Sequence, residues 1–425
     1  MPRLNAHADR RSGLLPATIG HGLAVLVCGL VFTAAVRAEE KPKVRAITAF
    51  VRLDRAHYKE QVAETLVTLR KMKAKLDQAG YEVQTLRITL QPFPELIRGL
   101  SREEVQAFYR EYAALVKKEG FLSAIGPAMI TDSDDPRLAE LFGEVLRQNP
   151  EFDGSVVVVG EDGVHWNAVR AAARIMKFLA EHTPRSQGNF SFAATALVPP
   201  NTPFYPGSYN LGAGREFALA VQTASVVSEA FAARRDLAVA RQVLAALMAQ
   251  HARALETLCL QLQEETGWKY MGLDLSTAPL KEVSIGAAIE QLTGDKFGSS
   301  GTMTVAALIT GLLREVPVKR AGYSGLMLPV LEDSRLAQRW SEGTLTLDSL
   351  LAYSAVCGTG LDTIPLPGDV TVERLERIIG DMATLAVKFH KPLSARLLPV
   401  AGKKPGDRTE FDDPFLVNAV IQPLH

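Results

Sequence analysis

The chain has 425 residues, 47% of them hydrophobic and 22% charged, which is a globular composition rather than a disordered one. Lys plus Arg and Asp plus Glu are both 47, so the formal net charge is zero, and nothing suggests a nucleic-acid surface. Three cysteines in a chain this long do not make a disulfide scaffold. At the N-terminus, Arg3, Arg10 and Arg11 precede an uncharged run from about Gly13 to Val36, and Val36-Arg37-Ala38 supplies small residues around a cleavage site. This is the three-part form of a secretory signal over residues 1–38, and it predicts a periplasmic or secreted protein. The alternative is an uncleaved membrane anchor. The run is near bilayer-spanning length but is broken by glycines, Pro16 and His21.

From Lys43 the chain alternates. Strands are predicted at 44–51, 83–90, 122–130, 156–159, 190–197 and 217–221. Helices are predicted at 57–79, 101–118, 136–147 and 165–182, the second opened by the capping box Ser101-Arg102-Glu103-Glu104. A long helix follows at 237–265 and contains Cys259. Strands are then predicted at 271–275, 322–328, 355–364 and 394–400, with helices at 304–315 and from Thr371 to about Lys388. Alternating strands and helices argue for parallel β/α units. The strand count exceeds eight, and residues 39–425 read as one domain.

The stretch Ala355 to Asp369 organises the second half. A short apolar run ends at Cys357, Gly358 and Gly360, and a second one carrying Asp362 ends at Pro367-Gly368-Asp369. A thiol and two carboxylates therefore lie in or beside irregular backbone, where binding and catalytic groups tend to sit. Cys357 is a candidate nucleophile, although its neighbours are apolar or glycine and no partner His is identifiable. Asp274-Leu275-Ser276-Thr277 follows another strand; Asp274 could act as acid, base or metal ligand, and Ser276 could donate a hydrogen bond. Gly298 to Thr302 precedes a helix, where Gly301 and Thr302 could cradle an anion. The loop Pro199 to Asn210 concentrates proline, aromatic and Asn residues, and Asn201, Phe204 and Tyr209 are candidates for lining a site. Asp274, Asp362 and Asp369 could together supply oxygen ligands to Mg²⁺ or Ca²⁺. Each group also has a structural reading: a buried thiol, a turn-capping hydroxyl, a loop packed on itself.

Cys357-Gly-Thr-Gly-Leu-Asp-Thr-Ile-Pro-Leu-Pro-Gly-Asp369 resembles the signature of the domain of unknown function 711 family. Gly272 to Pro279, Gly298 to Thr302, Gly322 to Val330 (which carries Ser324) and Arg396 to Gly406 resemble further segments of it. The resemblance implies a pyruvate formate-lyase-like β/α barrel of about ten strands and no settled reaction. Two functions stay open: an enzyme acting on a small polar or anionic molecule at the strand ends, with Asp274, Cys357 and Asp362 as its reactive groups, or an exported binding protein using the same pocket. A small-molecule ligand is the expected partner. Nucleic acid is not, membrane contact would run only through an uncleaved N-terminal segment, and homo-oligomerisation is open.

Overall fold

The computed structural model describes residues 41–233 and 235–424. The expected signal or anchor segment, residues 1–38, lies outside the described residues. Among the described residues no helix is long and apolar enough to cross a membrane.

The strands are β1 (Lys43–Phe50), β2 (Leu86–Thr89), β3 (Leu122–Pro127), β4 (Phe152–Gly160), β5 (Gly163–Val164), β6 (Phe192–Ala196), β7 (Glu216–Gln222), β8 (Lys269–Asp274), β9 (Gly360–Pro367) and β10 (Leu393–Val400). They form one sheet in the order β8-β7-β1-β2-β3-β4-β6-β10-β9, with the two-residue β5 turned back on β4. Strands β1 to β4 and β6 are mutually parallel. The sheet reverses direction twice, at the antiparallel pairs β1–β7 and β6–β10, while β8 runs parallel to β7 and β9 parallel to β10.

That order leaves β8 and β9 as the two edges, and one segment joins them. Residues 319–330 bridge β8 in parallel at Leu273–Arg320 and β9 in parallel at Pro329–Asp362. Leu273 N–H donates to the Lys319 carbonyl at 2.8 Å, Ala321 N–H to Leu273 at 2.9 Å, and Val330 N–H to Asp362 at 3.0 Å. The sheet thus closes into a ring in which this segment holds the tenth position. A strand was expected over 322–328. The segment makes bridges rather than a continuous ladder, because Gly322 and Ser324 both adopt positive φ and break the pleat. The strand expected over 355–364 also starts later, at Gly360, because Ala355 and Val356 finish the turn of the helix Leu347–Ser354.

Outside the ring, helices such as Trp166–His182 and Val372–Phe389 cover the sheet. Strands β6, β7, β9 and β10 are buried along their whole length. A large apolar core fills the space between sheet and helices, and a smaller one of Ala46, Val198, Phe204, Ala220, Ala278, Tyr323 and Met327 lies apart from it. This second cluster comes from the paired strands β1 and β7 and from three irregular segments; Phe204, Ala278, Tyr323 and Met327 line an internal cavity, so it fills part of the lumen. The loop 199–210 enters there: Thr48 Oγ1 donates to the Pro203 carbonyl at 3.0 Å, and Thr89 Oγ1 donates to the Tyr205 hydroxyl at 3.1 Å.

The ring closes tightly where Gly325 faces Gly358. A Cβ on either would lie 2.6 or 2.5 Å from the other's Cα, closer than real contacts allow, and Gly358 N–H donates to the Leu326 carbonyl at 2.7 Å. Gly358→Ala should therefore cost about 1–3 kcal/mol or more through forced separation of the backbones. Gly311 is exposed inside the helix Thr302–Glu315 with open space around it, so Gly311→Ala should stabilise by up to about 1 kcal/mol. Urea unfolding of both variants checks the pair of signs.

Candidate functional site

The mouth of the lumen is built from strands running in both directions. Lys43 at the start of β1 pairs with Gln222 at the end of β7, and Leu393 at the start of β10 pairs with Ala196 at the end of β6. One mouth therefore collects the N-terminal ends of the five parallel strands and the C-terminal ends of the others. A cavity of about 200 Å³ opens there. At about 30 Å³ per water this is room for roughly seven waters, a small metabolite's worth of space.

Eight charged side chains line the cavity: Arg45 on β1, Arg87 on β2, Glu151 just before β4, Asp153 on β4, Glu332 after the closing segment, Asp362 on β9, Arg396 on β10 and Asp413 in the C-terminal segment. Alternation along the strands puts two of them inside. In β2, Ile88 packs outward while Arg87 and Thr89 reach the lumen; in β4, Phe152 packs outward while Asp153 faces the cavity. Backbone irregularities fall on the other three strands. The β1–β7 register slips between Val44 and Ala46, around Arg45, and the β9–β10 register slips between Ala395 and Leu397, around Arg396 and opposite Asp362-Thr363. Such bulges re-aim the side chains they carry.

Arg396 is spent. Its Nε donates to Asp362 Oδ1 at 2.7 Å, an Nη donates to Glu332, and Nη1 donates to the Phe190 carbonyl at 3.2 Å. Burial opposes its charge, but the two carboxylates outweigh burial and raise its pKa. One guanidinium faces two acids, and burial holds Glu332 above the ordinary carboxylate range. Arg45 and Arg87 differ: among the described residues neither has a carboxylate within ion-pair distance. Arg45 donates to Gln84 Oε1 at 3.3 Å, while Arg87 donates to Thr85 Oγ1 at 3.2 Å and to the Pro203 carbonyl at 3.3 Å. Their guanidinium carbons stand 4.7 Å from the Phe415 ring centre and 4.5 Å from that of Tyr205. Desolvation lowers both pKa values, that of Arg87 to about 10, so both remain cationic at neutral pH. Asp153 has no side-chain hydrogen bond or ion pair among the described residues. Desolvation pushes its pKa up to about 7, against the pull of Arg87 and Arg396.

The sequence-derived residues fall in several places. Asp362 and Phe204 line this cavity. Asp274 is fully buried and accepts from Ser276 N–H at 3.0 Å, Ser276 Oγ at 2.5 Å, Tyr323 N–H at 2.8 Å and Ser324 N–H at 3.0 Å. It thereby fastens the closing segment to β8. Burial nonetheless lifts its pKa to about 6. Ser276 also accepts from Gly325 N–H at 3.2 Å, so it belongs to the same clasp. Cys357 is buried in the outer core, its Sγ accepting from Gly360 N–H at 3.4 Å, and it does not line the cavity. Thr302 accepts from Gly298 N–H at 3.1 Å and Gly301 begins a helix outside the ring, so these two shape a turn away from the lumen. Tyr209 donates to the Val198 carbonyl at 2.9 Å. Asn201 and Ser324 border a separate hollow that also includes Arg320 and His390. Asp369 is exposed in the turn after β9.

The expected metal set is corrected accordingly. Asp274 is spent on four donors, Asp362 is paired with Arg396 and Asp369 faces solvent. Among the described residues no group of three or more His, Cys, Asp or Glu side chains could hold a metal ion. The site was expected at strand C-termini; in this cavity Arg45, Arg87, Asp153 and Asp362 stand near strand starts and Arg396 in mid-strand. Arg45, Arg87 and Asp153 were missed. Their signal is a charged residue at the inward phase of an otherwise apolar strand, as in Leu86-Arg87-Ile88-Thr89.

A model of the family described as "Uncharacterised ACR (DUF711)" matches residues 36–412. A UPF0210 protein of Pyrobaculum aerophilum is 33% identical over 347 residues, covering 77% of this chain and 76% of that protein. A UPF0210 protein of Methanopyrus kandleri is 27% identical over 400 residues, covering 87% and 88%. Among solved structures, the anaerobic ribonucleotide reductase of Thermotoga maritima with citrate in the active site aligns with a TM-score of 0.40 and 10% identity, over 83% of this chain and 79% of that one.

Two outcomes follow from the buried groups. Folding holds the proton on Asp153 up to about pH 7, whereas the unfolded chain releases it near its ordinary value of 3.8. Stability contributed by this group therefore falls as pH rises from about 4 to about 7. Asp153→Asn should lose less stability between pH 4.5 and 7.5 than the parent in urea titrations; equal losses would count against desolvation of this half-buried carboxyl. Cys259 and Cys357 should both resist a thiol reagent in the native protein and react on unfolding.

Proposed function

This chain belongs to the DUF711 family, and we propose that its barrel binds a small anionic molecule in the lumen, clamped by Arg45 and Arg87. The observation that carries the reading is the contrast among three arginines on one cavity wall. Arg396 is neutralised by two carboxylates; Arg45 and Arg87 have none. Two largely desolvated cations with most of their donors unspent are costly unless an anion meets them. A guanidinium's planar fork suits a carboxylate or phosphate.

Turnover is the favoured extension over binding alone. Asp153 lines the cavity without an arginine partner among the described residues, and a value near 7 suits a group that both takes and gives a proton. Cys357 has no place in this reading, because its thiol is packed in the outer core. Export remains a proposal that rests on Arg3, Arg10, Arg11 and the uncharged run after them.

Thermal unfolding against succinate, citrate and inorganic phosphate tests the clamp. A ligand of the native state raises the midpoint by mass action. At least one probe should raise it, and Arg87→Met should abolish the rise while its own unliganded midpoint stays level or increases, since a buried uncompensated charge is gone. A midpoint indifferent to all three anions, or a rise that survives Arg87→Met, would overturn the proposal.

A further inference from the structure

We infer that the lumen site is built for a dipolar ligand of amino-acid size, whose anionic group meets Arg45 and Arg87 and whose ammonium group meets Asp153. The inference rests on the lumen reading above and adds the ligand's second charge.

The cavity wall carries both signs: Arg45, Arg87 and Arg396 stand among Glu151, Asp153, Glu332, Asp362 and Asp413. Acids outnumber arginines, so the wall does not select a ligand by negative charge alone. Glu332 and Asp362 are both drawn onto Arg396. What remains for a ligand is a pair of cations together with carboxylates, of which Asp153 stands two strands from Arg87.

These remaining groups do not pair with each other. They line one cavity, yet among the described residues neither Arg45 nor Arg87 forms an ion pair with Asp153. The strand order explains the gap. Arg87 pairs with Leu122 on β3, and Asp153 pairs with Ala124 on the same strand, so β3 stands between them. Two strand spacings of about 4.8 Å separate their backbones by roughly 10 Å. Arg87 is further held by the Pro203 carbonyl and the Tyr205 face, and Arg45 by Gln84 and the Phe415 face. Opposite charges fixed across an unfilled space are satisfied together by a molecule that carries both signs.

Glu151 and Asp413 also line the cavity, so the approach is not a uniformly positive funnel. A ligand with only negative charge would pass acidic groups to reach the arginines, whereas a zwitterion meets compensating groups on both sides. A cavity of about 200 Å³ suits a single amino acid and not a peptide or nucleotide.

Calorimetry on the full-length protein with matched pairs tests this: the twenty common amino acids, and for each the acid that lacks its α-amino group, such as aspartate against succinate. At least one amino acid should bind about tenfold or more tightly than its deaminated partner, a gap of one decade in Kd. Asp153→Asn should erase that gap while leaving the deaminated acid's affinity within about twofold, and Arg87→Met should weaken both. The unliganded unfolding midpoint of each variant reports whether it folds. If deaminated acids bind as tightly as every amino acid, or if Asp153→Asn keeps the gap, the dipolar ligand is refuted and the anion clamp stands. If neither set binds, both are refuted.

Discussion

The structure depends on how the two edges of its sheet are joined. A long sheet of mixed direction would otherwise end in β8 and β9, each with a row of unpaired backbone groups. Residues 319–330 satisfy both edges without forming a regular strand. The buried carboxylate of Asp274 makes this possible, because it takes the backbone N–H groups of Tyr323 and Ser324 that a normal ladder would have paired. Ser276 adds Gly325 to the same clasp, and on the other side Gly325 and Gly358 meet with no room for a side chain. A carboxylate desolvated this completely is tolerated because four donors meet it, three on Oδ1 and one on Oδ2.

Closure creates an inside, and the inside cannot be wholly apolar. The loop 199–210 enters the lumen with backbone carbonyls that need donors, and Thr48 and Arg87 supply two of them at Pro203. The remaining polar side chains gather at one mouth. There Arg87 and Asp153, from β2 and β4, share one cavity with Asp362 and Arg396, from β9 and β10, which run in the opposite direction. The lumen site is thus a consequence of the two antiparallel junctions as much as of any motif.

The alternation of strands and helices was legible, because fully buried strands and amphipathic helices carry distinct periods. Family membership was legible too, from five glycine- and proline-marked segments. What those segments do was not. Asp274, Ser276, Gly325 and Gly358 attract notice as reactive groups and loops, yet they build the closure, and the thiol of Cys357 is packed behind it. A structural clasp and an active site draw on the same residue types, and only the partners distinguish them. Arg45, Arg87 and Asp153 escaped notice for the opposite reason. A charged residue alternating with apolar ones reads as a solvent-facing position until closure of the ring turns that face inward. The helices Ala224–Phe231, Ile285–Thr293 and Ser334–Ser341 were also missed, being short elements whose few turns give the periodic signal little length.

The central claim is that the lumen is an anion site set by two uncompensated arginines. A crystal of the protein soaked in selenate, with anomalous data collected at the selenium edge, tests it most directly. The account expects a peak in the lumen within hydrogen-bond reach of the guanidinium groups of Arg45 and Arg87. A lumen that holds only water, with selenate bound solely at surface lysines or helix ends, would contradict it.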